Sequence, residues 1–142
     1  MLEIEAINHV GVRVRDKTIS VRFYETLGFV SKGDLGFEKG HPIVMRHPCG
    51  VVLNLLGPAH IDSNENILMD IETKHTGITH IALTVSSLAH TTDFLNQHNI
   101  SITGSFSFGN MSAVFIRDPD RNVIELDSYN FNVLDDNSTD HP

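Results

Sequence analysis

The chain holds one cysteine, Cys49, among 142 residues, so no internal disulfide can form. That economy suits a reducing cytoplasm, although it does not by itself exclude export. Positive charge is also scarce. Ten Lys and Arg face eighteen Asp and Glu, a net charge of −8, which argues against nucleic acid or an anionic membrane surface as a partner. No apolar run approaches the roughly 18 residues a membrane span requires, and the N-terminus lacks the charged-then-apolar order of a signal peptide, so no membrane association is expected. The glycine-rich phosphate loops Gly-x-x-x-x-Gly-Lys and Gly-x-Gly-x-x-Gly are missing, as is the Gly-x-Ser-x-Gly elbow of serine hydrolases. Cys49 follows Pro48 in a predicted turn with no evident partner and reads as a bystander. What remains is an ordinary globular composition, 40% hydrophobic and 20% charged, with enough length for one real core. Nine histidines are many for this length and favour metal or proton chemistry.

The strongest internal signal is a repeat. Ile7-Asn8-His9-Val10-Gly11-Val12-Arg13-Val14 resembles Ile78-Thr79-His80-Ile81-Ala82-Leu83-Thr84-Val85 at a shift of 71 residues. The same ungapped shift takes Phe23 to Phe94, Arg46-His47-Pro48 to Arg117-Asp118-Pro119, and Asn54 to Glu125. One shift that links a His-bearing strand, a helix and a turn-strand implies two copies of one supersecondary unit.

Alternation and capping give the elements of each copy. Residues 4–15 read as a strand with Val10, Val12 and Val14 on one face and His9, Gly11 and Arg13 on the other. Asp16 suits the N-cap of a helix to about Leu27, with Ile19, Phe23 and Leu27 on its buried side and Gly28 as its stop. Strands are predicted near 29–34, 41–47 and 50–56, separated by Gly33, the loop from Gly36 to Gly40, and Pro48-Cys49-Gly50. Residues 58–77 read as a polar linker in which Ile67-Leu68-Met69 has apolar surface to bury. The second copy follows, with a strand near 78–85, a helix capped by Ser86 or Ser87 and ending near His98, and strands near 100–107, 111–117 and 121–128. The acidic tail from 130 to 142 is expected to fray. The reading is one α+β domain of two βαβββ modules, residues 1–57 and 78–129.

Phe115 to Tyr129 carries the chemistry. It reads as strand, tight turn at Asp118-Pro119-Asp120-Arg121-Asn122, and strand. Ile124 and Leu126 suit a core, so Val123, Glu125 and Asp127 project from the opposite face. A single carboxylate or histidine on such a face is most often solvated. Two histidines at equivalent positions with a carboxylate on the last strand are another matter. If the copies pair, His9 and His80 face each other with Glu125 nearby, while Gly11 and Ala82 leave room. Two imidazoles and a carboxylate match the facial set that binds Fe(II), Mn(II) or similar ions and leave open positions for substrate.

On these motifs (Ile7-Asn8-His9-Val10, Thr79-His80-Ile81-Ala82, and Arg117 through Leu126) the chain resembles the vicinal oxygen chelate superfamily. That family includes glyoxalase I, methylmalonyl-CoA epimerase, fosfomycin-resistance and bleomycin-resistance proteins, and extradiol dioxygenases. The resemblance spans about residues 4–129. It implies paired βαβββ modules forming a mixed-sheet open cup, with a divalent ion (Fe, Mn, Ni, Zn or Co) held by His9, His80 and Glu125. It also implies a small oxygen-rich substrate chelated through neighbouring oxygens, and a homodimer in which half-cups complete one another within a chain or between chains.

The sequence departs from its relatives at two positions. The fourth ligand position falls on Asn54, where glyoxalase I has Glu. An amide cannot abstract a proton, so Asn54 either ligates through its oxygen, holds a bound water, or only lines the pocket. Mechanisms with two opposed bases are correspondingly weakened, which leaves Glu125 as the catalytic carboxylate. Phe115 replaces the tyrosine of the dioxygenase signature, so a bound catechol would lack that hydroxyl. Arg13, on the same face as His9, is a candidate to bind an anionic substrate group or to pair with Glu25 or Asp127. His41 and His47 are candidate bases at the rim or plain loop histidines. Three readings follow: a metal-dependent glyoxalase-like lyase, isomerase or group-adding enzyme; an extradiol-type oxygenase; and a metal-free binder of a drug or metabolite. The ligand set argues against the last.

Overall fold

The computed structural model of the chain describes residues 1–61 and 64–130. The expected fraying of the tail concerns residues outside this range. The chain divides into two compact units, Met1–Asn64 and Glu65–Pro142, and the division falls inside the predicted linker. Each unit is a four-stranded mixed sheet with one α-helix, so the fold is α+β with two tandem modules.

The first unit contains β1 (Val10–Arg13), α1 (Lys17–Thr26), β2 (Val30–Asp34), a 3-10 turn (Phe37–Lys39), β3 (Ile43–Arg46) and β4 (Val52–Leu56). The sheet order is β1-β4-β3-β2, with β1 parallel to β4 and the other pairs antiparallel. Ile43, Met45, Leu53, Leu55 and Val14 are buried with Tyr24 and Phe29. Each such side chain contributes about 1.5–3 kcal/mol relative to exposure. Strand alternation therefore turns Asn54, between Leu53 and Leu55, to the opposite face.

The second unit contains β5 (His80–Thr84), α2 (Leu88–Gln97), β6 (Gly104–Phe108), β7 (Met111–Arg117) and β8 (Val123–Tyr129), in the order β5-β8-β7-β6. Ile116, Ile124, Val114 and Leu126 form its core with Leu95 of α2. The two sheets share one register. Gly11 pairs with Asn54, Asn54 with Val44, and Val44 with Gly33. At a shift of 71, Ala82 pairs with Glu125, Glu125 with Phe115, and Phe115 with Gly104.

Both helix caps are as read from the sequence. The Asp16 carboxylate accepts from the Ile19 amide at 3.1 Å, and the Ser87 hydroxyl accepts from the His90 amide at 3.1 Å. The buried stripe of α1 is not. Ser20 and Tyr24 are buried, Phe23 and Leu27 are half-buried, and Ile19 is 50% exposed. Small Ser20 lets the helix approach closely, and the Tyr24 ring meets Phe23 and Phe29 edge-on at 5.1 and 5.8 Å, so the helix is turned by about one residue from the predicted face.

The first strand is shorter than the predicted 4–15. It has only β4 as a neighbour, and the pairing begins at Val10 with Leu53. Residues before it have no ladder to join, and Leu2, Ile4 and Ile7 stay exposed. The linker is more ordered than its composition suggests. Leu68 lies against Gly77, where an added Cβ would come within 3.0 Å of Leu68 Cδ1. Asp70 takes a two-pronged ion pair from Arg117, with Nη2–Oδ1 2.8 Å and Nη1–Oδ2 2.9 Å. The Asn66 amide group donates to the Arg121 carbonyl at 3.1 Å. Among the described residues, no helix is long and apolar enough to cross a membrane.

Candidate functional site

In the second unit the site starts at the turn before β8. Asp118 is buried, and its Oδ1 accepts from the amides of Asp120 and Asn122, both at 2.9 Å. Its Oδ2 accepts from Asn122 Nδ2 at 2.9 Å. Arg121 takes a left-handed backbone, φ 67°, which a carboxylate-tied turn tolerates. The turn fixes where β8 begins and so which face Glu125 takes.

That face brings two of the predicted ligands together. His80 Nε2 lies 2.9 Å from Glu125 Oε2, because β5 and β8 are parallel neighbours with His80 opposite Val123 and Ala82 opposite Glu125. The other ring nitrogen, Nδ1, is 2.8 Å from the Thr79 hydroxyl. A hydroxyl both donates and accepts, so Thr79 supports either imidazole tautomer. Phe115, the register partner of Glu125, stands edge-on to His80 with ring centres 6.1 Å apart. The Glu125 carboxyl is raised above the ordinary range, first by burial, then by its hydrogen bond to Asp127 and the charge of Asp127; His80 opposes the shift. Asp127 is two residues along the same strand and on the same face.

In the first unit Asn54 and Arg13 share a face with Gly11. Asn54 Oδ1 is buried and has no hydrogen-bond partner among the described residues. His9 lies just before β1, exposed, with Nδ1 2.7 Å from Asn8 Oδ1. An amide oxygen only accepts, so Nδ1 is the donor in this contact. Cys49 is exposed and free of any disulfide. His47 has its ring at 5.2 Å from Phe29, and its Nδ1 accepts from the Cys49 amide at 3.1 Å, so it serves a turn.

A family model described as the Glyoxalase/Bleomycin resistance protein/Dioxygenase superfamily matches residues 6–126. The chain belongs to this superfamily. No curated protein matches it significantly in sequence. Solved structures do share the fold. The chain is similar to SMU.1112c, with 24% identity, 89% of this chain and 100% of that one covered, and a TM-score of 0.72. It is similar to a glyoxalase family protein from Enterococcus faecalis, with 21% identity, 87% and 98% covered, and a TM-score of 0.72. It is also similar to lactoylglutathione lyase from Agrobacterium tumefaciens, with 20% identity, 88% and 94% covered, and a TM-score of 0.62.

In the second unit His80 and Glu125 offer an imidazole nitrogen and a carboxylate oxygen, donor types that divalent ions accept. An imidazole nitrogen and a carboxylate oxygen converge in one unit. Among the described residues, Asn54 Oδ1 in the first unit and Asp127 Oδ1 in the second are each buried without a partner, and a buried acceptor of that kind is costly until a donor or cation meets it. Among the described residues no three His, Cys, Asp or Glu side chains are gathered closely enough to hold an ion. His80 and Glu125 are the two expected ligands that share a unit. Sequence reading put Asp127 on the Glu125 face without giving it a role, and it missed Thr79 as a neighbour of that pair. The signal for Asp127 was present, since it alternates in phase with Glu125. Thr79 gave none, because its hydroxyl matters only once the His80 rotamer is known.

Proposed function

We propose that this member of the superfamily is a divalent-metal-dependent enzyme acting on a small substrate with neighbouring oxygens. The observation that carries the reading is the 2.9 Å approach of His80 Nε2 to Glu125 Oε2 on adjacent strands. In this reading His9, His80 and Glu125 hold the ion, with His9 supplied by the same chain or by a second copy. Fe, Mn, Ni, Zn and Co all accept such donors. When bound, such an ion supplies Lewis acidity to adjacent carbonyl or hydroxyl oxygens.

The chain's own residues do the rest. Glu125 is the carboxylate that takes a proton from the substrate and returns it. Asn54 transfers no proton; it orients a substrate oxygen by donating from Nδ2, or contributes its Oδ1 to the ion. Phe115 keeps water from the His80 side. One base without a second opposed carboxylate favours lyase, single-base isomerase or group-addition chemistry. A small molecule is therefore the partner. The net charge of −8 supports neither nucleic acid nor membrane, and the exposed lone Cys49 fits a reducing cytoplasm.

The test is metal content and affinity of the purified protein beside His80→Ala and Glu125→Gln. Stoichiometric binding that falls at least ~10-fold in each variant is expected for lost ligands. Tight binding that survives His80→Ala overturns the assignment. Assays on hemithioacetals and epoxides then define the reaction. Oxygen uptake with Fe(II) and a catechol panel would move it to the oxygenases, and ligand affinity indifferent to exhaustive chelation would make the protein a metal-free binder.

We also propose a homodimer. β1 and β5 each lie at a sheet edge with one neighbour, and the exposed residues leading into them include Ile4, Ile7 and Ile78. Unpaired edges with apolar flanks favour association. Sedimentation should give twice the chain mass of 15.8 kDa; a monomer at micromolar concentration sinks this part of the reading.

A further inference from the structure

In the second sheet the register fixes which side chains share the face of Glu125. Ala82, Glu125, Phe115 and Gly104 form one row across β5, β8, β7 and β6. The next row is Thr84, Asp127, Ala113 and Phe106, and beyond it Met111 stands opposite Tyr129 and Phe108. Strand partners and alternate residues lie on one face. Phe106 and Phe108 therefore lie on the side that carries Glu125 and its contact with His80. Ile124, Leu126 and Val114 take the other side, where they are buried with Leu95.

β6 inverts the pattern that burial would favour. Its serines, Ser105 and Ser107, take the helix side, where the Ser107 and Ser112 hydroxyls lie 3.1 Å apart. Its aromatics take the site side and stay 48% and 47% exposed, Phe106 and Phe108 respectively. Core formation would call for the reverse, and a strand that spends two aromatics outside the core on a face with polar chemistry points to a ligand. The two rings have centres 6.2 Å apart and planes within 15° of each other, an aligned pair against which a flat ring can lie. Gly104 and Ala113 put no bulky side chain between this pair and Glu125. Two strand spacings and one pleat separate Phe106 from Glu125, roughly 12 Å between Cα positions. The charged side chains in these rows are the carboxylates Glu125 and Asp127, which disfavour an anionic ring. We propose that Phe106 and Phe108 are the platform for an uncharged aromatic arm of the substrate, whose neighbouring oxygens lie at His80 and Glu125. This rests on the enzyme reading above for its role in turnover, but the ring needs no metal to bind the platform.

The test is an NMR titration of the metal-free full chain with 2-naphthol, followed at the Phe106 and Phe108 ring signals. Cyclohexanol serves as an apolar probe without a π face, and 2-naphthoate as an anionic one. Saturable shifts of both rings are expected with 2-naphthol, with clearly weaker binding of the other two. Phe106→Ala and Phe108→Ala should each weaken binding about 10-fold, the scale of a lost aromatic contact. Phe106→Tyr should retain it, and Ser107→Ala, on the opposite face, should leave it unchanged. Ring signals unmoved by 2-naphthol, equal affinity for cyclohexanol or 2-naphthoate, or binding unchanged in Phe106→Ala overturn the inference. Rings already covered by a second copy or by residues 131–142 would take no probe and overturn it as well. Metal affinity measured on the Phe106→Ala, Phe108→Ala double variant separates the two readings. Loss of 2-naphthol with metal binding intact assigns the effect to the platform alone, whereas 2-naphthol binding in a protein that takes no metal keeps the platform and removes the enzyme.

Discussion

At the residue scale, the sharpest constraint is Gly57 beneath Phe37. A methyl at Gly57 would overlap the ring, and overpacking of this kind costs about 1–3 kcal/mol. Gly57→Ala should lower the urea midpoint accordingly. Adding Phe37→Leu should cost less in that background than in the wild type, because the two changes share one contact. Asp34 gives a second residue-scale prediction. Hydrogen bonds from the Phe37 and Gly36 amides and from Lys17 pull its carboxyl down to about 2. A depressed carboxyl stabilises the fold above its ordinary range, near 3.8, and the contribution disappears as pH falls through about 2. The Gly36 and Phe37 amide signals should therefore titrate with a midpoint near 2 in wild type and lose that step in Asp34→Asn.

At the scale of elements, α1 separates what a sequence shows from what it hides. Tyr24→Ala should cost about 3–5 kcal/mol, as buried aromatic truncations do, and Ile19→Ala no more than about 0.5 kcal/mol, as at a surface position; the reverse order by thermal or urea unfolding would mean the helix faces the other way. The caps Asp16 and Ser87 were legible because an N-cap answers a local need for an acceptor. The buried face was not, since Ile19 is the greasier residue and Ser20 is buried for its small size. The limits of β1 were equally hidden, because where a strand stops depends on the length of its neighbour β4. The face of Glu125 was legible from its own strand, because Ile124 and Leu126 suit a core and turn Glu125 to the opposite side.

At the scale of the molecule, the segment read as linker is tied to the second unit. Arg117 and Asp70 are 47 residues apart in sequence, and a contact of that span leaves no periodic trace for sequence reading. Arg117 and the Asn66 amide hold the Asp70 carboxyl well below the usual range, so this tie persists to acid pH and weakens only as pH drops below the ordinary carboxyl range. Asp70→Asn, which leaves Arg117 with half its partner, should cost about 1–2 kcal/mol on the scale of charged hydrogen bonds. It should also speed limited proteolysis within residues 64–77, where fewer contacts then oppose local opening. Unchanged cleavage would show that Leu68 against Gly77 suffices.

The common register of the two sheets makes Asn54 and Glu125 alternative fillings of a single backbone slot. Asn54→Glu would install a second carboxylate opposite Gly11 as Glu125 stands opposite Ala82, and Glu125→Asn would do the converse. The protein thus contains its own matched pair, in which a carboxylate and an amide are compared without altering strand, neighbour or turn.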